Sequence, residues 1–252
     1  MNINTSQNPV ELGMQAGIAA AKVITEVIST KGSAHIILAT GTSQIETLNQ
    51  LLAETAIDWS KVVIFHLDEY IGLPITHPAS FRKYLKDRFI SKVPTLKVAY
   101  LINGETNAIA ECERLGKLIA QHPIDVSLVG IGENGHLAFN DPPADFETEQ
   151  AYIIVSLDEA CRKQQVGEGW FKNLDEVPRQ AISMSISQIL KSKNIICSVP
   201  DQRKAVAVKN TFEQSMSNLY PATALQLHPR CTCYLDESSA SLLSDKKMSH
   251  SI

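Results

Sequence analysis

His35-Ile36-Ile37-Leu38-Ala39 runs directly into Thr40-Gly41-Thr42-Ser43, and Gln44 to Glu54 follows with apolar residues at helical spacing. The unbroken apolar run reads as a short strand buried on both faces. A glycine turn that ends a strand and opens a helix is the repeating joint of an α/β sheet. The same alternation extends in both directions. Upstream, Val10 to Ser29 carries Ala, Ile and Val at helical spacing, and Lys31-Gly32 supplies a stop. Downstream come a strand (Lys61 to Phe65), a loop punctuated by Gly and Pro (His66 to Pro78) and a helix (Ala79 to Phe89). Val98 to Ile102, Asp125 to Gly130, Tyr152 to Leu157, Ile195 to Val199 and Thr232 to Leu235 read as further strands. Between and after them Thr106 to Ala120, Asp158 to Val166, Gln202 to Phe212 and Ser238 to Leu243 read as helices. The pattern predicts a single doubly wound, mostly parallel sheet with helices on both faces, in the Rossmann-like manner. No internal repeat or linker divides the 252 residues, so one domain is expected, with residues 1–8 and 246–252 frayed at its ends.

Composition narrows the function. Apolar residues make up 44% and charged residues 20%, which excludes disordered and collagen-like chains. Lys and Arg number 23 against 27 Asp and Glu, with no basic stripe, so no nucleic-acid partner is expected. An anionic ligand must be held by a few placed groups. Cys112, Cys161, Cys197, Cys231 and Cys233 form no disulfide ladder. Cys231 and Cys233 would share one face of a strand, as buried thiols without metal-ligand spacing. The N-terminal MNINTSQNPVELGM lacks a basic segment followed by an apolar core, and no apolar run approaches the roughly 20 residues that span a bilayer. A reduced, cytoplasmic protein without a membrane partner is therefore expected.

In such a sheet, ligands bind beyond the carboxyl ends of the strands. Four segments stand there. Thr40-Gly41-Thr42-Ser43 offers a tight turn, hydroxyls and a helix N-terminus, which suits phosphate; it reads equally as a plain helix cap. His66-Leu67-Asp68-Glu69-Tyr70 puts two carboxylates at a strand end, either a general base or solvated loop charges. Gly130-Ile131-Gly132-Glu133-Asn134-Gly135 spells a dinucleotide fingerprint, but Asn140-Asp141-Pro142-Pro143 breaks the helix that pyrophosphate would need. The segment reads better as a loop that sets His136 beside Asp141, where a carboxylate fixes the imidazole tautomer. Lys204 opens a helix, a place disfavoured for a cation unless an anion is bound there; a surface lysine is the plainer reading. His66, Asp68, His77, His136 and Asp141 are metal-ligand types without a metal-ligand pattern, so no metal is expected.

Taken in order, LATGTS, HLDEYIGLPITHPASF, LVGIGENGHLAFNDPP, RKAVAV and LQLHP resemble the glucosamine-6-phosphate deaminase (isomerase) family from about residue 38 to 229. The related 6-phosphogluconolactonases typically carry Asp-Glu-Arg and a GH-x-ASLFP block; Tyr70 and Ala138-Phe139-Asn140 place this chain on the deaminase side. The resemblance implies a cofactor-free enzyme that turns glucosamine 6-phosphate and water into fructose 6-phosphate and ammonia. It implies Asp68 as the proton acceptor at carbon 2, and His136 as the ring-opening group supported by Asp141 and Asn134. It implies a phosphate site at Thr40, Gly41, Thr42, Ser43 and Lys204. Alternatives are the galacto epimer as substrate, a lactonase, and a non-catalytic sugar-phosphate sensor. Family habit further implies a homo-oligomer.

Three departures stand out. The family's Asp-Gly-His is Asn134-Gly135-His136 here, and its Asn-Glu-Pro is Asn140-Asp141-Pro142. An Arg that many members carry before a Phe-Phe pair is missing at Gly169-Trp170-Phe171, leaving Arg162 as the nearest substitute phosphate ligand. The stretch Ala144 to Glu149 is acidic where some members bind an activating phosphosugar, so no such activation is expected.

Overall fold

The structure, a computed structural model, describes residues 1–244; the fraying expected for residues 246–252 lies outside the described residues. Strands β1 (Asn2–Ser6), β2 (Ala34–Leu38), β3 (Val62–His66), β5 (Val98–Tyr100), β6 (Val126–Val129), β9 (Asn194–Val199) and β10 (Cys231–Asp236) form one sheet. Its order is β1-β10-β9-β6-β2-β3-β5, and every neighbouring pair is parallel.

Helix α1 (Pro9–Lys31) begins where Asn8 accepts the Val10 and Glu11 N–H groups, with Pro9 at the first turn. By length and apolarity this helix could cross a membrane. Its Leu12, Ala16, Ala20 and Ile24 are instead packed on the sheet with Ile36, Leu38, Ile64 and Leu128. Alternate residues of β2 and β3, Ile37 and Phe65, join the opposite layer with Leu115 and Ile119 of α4 (Ala108–Ala120). That double burial is why these strands read as continuous apolar runs rather than alternating ones. Cys231 and Cys233 do share one buried face of β10, while Tyr234 joins the other layer. Helices α2 (Ile45–Ala53) and α7 (Ala205–Glu213) follow β2 and β9.

Two expectations need correction. The first eight residues are not frayed: Asn2 to Ser6 pair in register with Thr232 to Asp236 and form the edge of the sheet. Nor is there one sheet alone. β4 (Asp68–Tyr70), β8 (Gln180–Met184) and β7 (Tyr152–Ser156) form a second, antiparallel sheet in that order. The predicted loop after Phe65 thus contains a strand. β8, and α6 (Ile186–Leu190) after it, fall where no element was predicted.

Strand order reverses between β2 and β6. From β2 the chain steps outward through β3 to β5; from β6 it steps the other way through β9 to β10. A crevice opens at such a switch point, beyond the carboxyl ends of the strands. The four central strands β9, β6, β2 and β3 therefore deliver Lys204, His136, Thr40 to Ser43, and Asp68 to one place.

Candidate active site

The cleft at the switch point is lined by Thr40, Gly41, Thr42, Ser43, Asp68, Gly132, His136, Phe139 and Lys204, among others. Gly41 adopts φ +93, a region that L side chains rarely enter, and turns β2 into a short 3-10 turn at Thr42–Gln44. No side chain caps either this turn or α2 behind it, so the hydroxyls of Thr40 and Thr42 are not committed as caps. Buried Gln44 donates to the Val129 carbonyl and ties the turn to β6. Tyr84, on α3 (Phe81–Arg88), donates its hydroxyl to the Gly41 carbonyl.

Asp68 is buried at the start of β4. Burial first, and the neighbouring Glu69 charge second, push its carboxyl up to about 8. A carboxyl with that affinity suits proton abstraction near neutral pH. Glu69 points elsewhere. It accepts from Ser80 Oγ and from the Phe81 and Arg82 N–H groups at the start of α3. The solvated-loop reading of these two acids therefore fails for both.

The loop after β6 contains no helix, so pyrophosphate has no N-terminus to sit on. A Cβ at Gly132 would lie 2.2 Å from the His136 ring, so only glycine leaves the imidazole its place. His136 Nδ1 stands 3.1 Å from Asp141 Oδ1. Burial raises the proton affinity of Asp141, but His136, the Asn134 amide and the Asp158 N–H together hold it below the usual carboxylate range. The shorter Asp thus comes within ion-pair distance of the histidine, but the alignment makes no hydrogen bond, and Nδ1 is left without another partner. Ala138, at φ +51, is one of two non-glycine residues at positive φ among the described residues; Asp201, at φ +89, is the other. Each lies in a loop that feeds the cleft, where strain of this kind concentrates.

Asp201 leads into a 3-10 turn (Gln202–Lys204) that buries Lys204 before α7 starts. Burial lowers the proton affinity of the Lys204 ammonium, opposed by the charges of Glu168 and Glu133. Among the described residues no carboxylate lies within salt-bridge distance of Lys204. A buried cation without a close counter-ion is a site for an incoming anion. The surface-lysine reading fails.

Arg162 does not reach the cleft. Its guanidinium donates to the Leu174 and Val177 carbonyls, behind α5 (Glu159–Gly167). The sequence placed it near the phosphate because only spacing was available. Gln164 and Gln165 of the same helix, and Glu168 at its C-cap, do line the cleft, and sequence reading missed them. Gln165 accepts the buried Tyr70 hydroxyl. Polar residues three and four apart on a short helix were the available signal.

His66 and His77 lie outside the cleft. His66 is buried, and burial, then the Arg82 charge, lower it to about 3. His77 stacks on Phe171. The ligand atoms of His136, Asp141 and Cys161 do lie within 4.8 Å of one another. Burial, then the Asp141 and Asp158 charges, push the Cys161 thiol well up, away from the thiolate a metal needs. A larger cavity of about 770 Å3 lies on the far side of Phe139, between α4 and β7. Its described lining has no Lys, Arg or His, so the chemistry belongs to the smaller cleft.

Residues 7–233 match the family described as glucosamine-6-phosphate isomerases/6-phosphogluconolactonase. This chain belongs to that family. A glucosamine-6-phosphate deaminase of Lactobacillus delbrueckii subsp. bulgaricus is 36% identical over 244 residues, covering 96% of this chain and all of the relative. One from Streptococcus pneumoniae is 34% identical, covering 93% of this chain and 98% of its own. A solved monomeric glucosamine-6-phosphate deaminase superposes with TM-score 0.87 at 32% identity, covering 96% of this chain and all of that one. A 6-phosphogluconolactonase from Trypanosoma brucei shares the fold at TM-score 0.79 but only 17% identity, covering 96% and 98% of the two chains.

Proposed function

We propose that this chain is a cofactor-free deaminase that converts glucosamine 6-phosphate and water to fructose 6-phosphate and ammonia. The observation that carries the reading is the convergence of four loops, from four adjacent strands, on one cleft. The deaminases among its relatives supply the substrate class.

In this reading Lys204 and the Thr40-Gly41-Thr42-Ser43 turn hold the phosphate. That leaves the sugar ring between His136 and Asp68. His136, oriented by Asp141 and Asn134, carries the proton of the anomeric hydroxyl to the ring oxygen. The carbon–oxygen ring bond breaks and carbon 1 becomes an aldehyde. Asp68, as carboxylate, then takes the proton from carbon 2. The electron pair left behind forms the bond to carbon 1, the aldehyde oxygen takes a proton from the substrate's own ammonium, and an enolamine results. Asp68 returns its proton to carbon 1, leaving an iminium at carbon 2. Water adds there and ammonia leaves. No electron leaves the substrate, so the chemistry needs no redox cofactor.

Ammonia release from glucosamine 6-phosphate, with Asp68→Asn as control, tests the reading. Release from neither the gluco nor the galacto epimer would end it. Lactone hydrolysis, or binding without turnover, would favour the lactonase or the sensor instead. We further propose one domain and a cytoplasmic location, the latter supported by five unpaired cysteines. A homo-oligomer rests on family habit alone. Because a solved relative is monomeric, we take the monomer as the reading, which light scattering decides.

A further inference from the structure

Asn134 is one of the points where the chain departs from its family's pattern, and its surroundings account for that departure. Its amide nitrogen donates to Asp141 Oδ1 at 3.0 Å and to Asp158 Oδ2 at 3.1 Å. Its oxygen accepts the His136 N–H at 3.1 Å. Only a nitrogen can face two carboxylates in this way, so the network itself fixes the amide orientation. Asp158 closes the circuit, because its own N–H donates to Asp141 Oδ2 at 2.9 Å. Both oxygens of Asp141 are thereby held, and Oδ1 also faces His136 Nδ1.

We infer that Asp158 is a positioning residue for His136, acting through Asn134 and Asp141, and that position 134 must be an amide as long as position 158 is a carboxylate, because it then separates two carboxylates. The inference rests on the deaminase reading. An aspartate at 134 would lose both donations and bring three carboxylates into contact. The second carboxylate of the cluster therefore stands at 158, beyond β7, rather than beside the histidine in sequence. Asp158 also accepts the Cys161 N–H as the N-cap of α5, the helix that supplies Gln164 and Gln165, and Glu168 at its C-cap, to the cleft. One side chain thus sets both the histidine loop and the cleft wall. Cys161, on α5, also faces this cluster, and it feels the charges of Asp141, Asp158 and Asp68.

Four proteins test the inference: the wild type, Asn134→Asp, Asp158→Asn, and the double variant. Asn at 158 keeps α5 capped, since Asn and Asp cap about equally well. Asn134→Asp should lower kcat about tenfold or more with KM within about twofold, the mark of an interaction made during turnover. It should also move the acid limb of the kcat profile up by about one pH unit, because a third carboxylate invites a shared proton. Asp158→Asn should lower kcat about fivefold. The double variant has two carboxylates again, and should recover most of kcat and the wild-type acid limb. An Asn134→Asp enzyme as active as wild type, or a double variant no better than it, overturns the inference. Melting curves read the cluster without turnover. Asn134→Asp should melt below the wild type near about pH 8, and the double variant close to it. Equal melting of all four overturns the separating role of Asn134. A wild type that releases no ammonia defeats the deaminase reading instead, and the melting cycle still reports on the cluster.

Discussion

Replacing Asp68 by Asn should abolish turnover and at the same time stabilise the fold, and both effects have one cause. Burial and the Glu69 charge keep this carboxyl protonated up to about 8, against 3.8 for an ordinary Asp. Between those values unfolding releases a proton. Stability therefore falls as pH rises, by about 1.4 kcal/mol for each pH unit. The whole interval corresponds to about 5–6 kcal/mol, an upper limit because water and side-chain movement relieve part of it. Below about pH 4 both states hold the proton and the penalty vanishes. Asn keeps the shape without the ionisation. Half of the limit would raise the melting temperature of a chain this size by about 6–12 °C. The assay is thermal unfolding of both proteins between about pH 4 and pH 9, beside kcat measured over the same range. The Asn variant should melt higher at the alkaline end, with the gap closing toward the acid end. Wild-type activity should rise with pH as the base ionises. A gap independent of pH, or a variant that melts lower near about pH 8, would refute the reasoning.

Lys204→Ala should raise KM for the phosphosugar at least tenfold, as loss of a charge-assisted contact of about 1.5–3 kcal/mol does, with a smaller change in kcat. An unchanged KM would remove Lys204 from the phosphate site. Arg162→Ala should leave KM within about twofold and instead lower stability by about 1–3 kcal/mol, since two carbonyls lose their donor. Asp125→Ala should destabilise by about 3 kcal/mol in urea without touching kcat, because its buried carboxylate takes Lys31, Lys193 and the His35 N–H far from the cleft. Burial raises the proton affinity of Asp125, but the two lysines and the His35 N–H outweigh it and hold the affinity low. Its contribution is thus present above the ordinary carboxylate range and is lost as pH falls through the lower folded value. N-acetylglucosamine 6-phosphate should leave the kinetics hyperbolic and unchanged. Asp145, Glu147 and Glu149 are exposed where a phosphate would have to dock, and a sigmoidal curve relieved by that ligand would contradict this.

The sheet was legible because its central strands are buried twice, and burial on both faces leaves a mark in sequence that needs no partner to interpret. β2 and β3 are of this kind. β4 and β8 are not: each is short, antiparallel and mixed with Asp, Glu, Gln or Ser, so composition hides it. β1 was missed because Asn2 to Ser6 is polar, as an edge strand can be. In the site, residues at strand ends were found since the sheet itself points to them. The α5 residues were missed because they reach the cleft from the side, through a tertiary contact that no spacing encodes. Arg162 illustrates the converse, where proximity in sequence suggested a ligand that the helix turns away.

The pairing of β1 with β10 has a consequence for how the molecule is made. β1 pairs, among the described strands, only with β10, which follows it some 230 residues later in the chain. Until some 230 residues have emerged, β1 has no ladder to join, and α1 must wait on an incomplete sheet with an apolar face. Contacts of such long sequence separation form slowly. β1 is therefore open to aggregation and to proteases until β10 has been made.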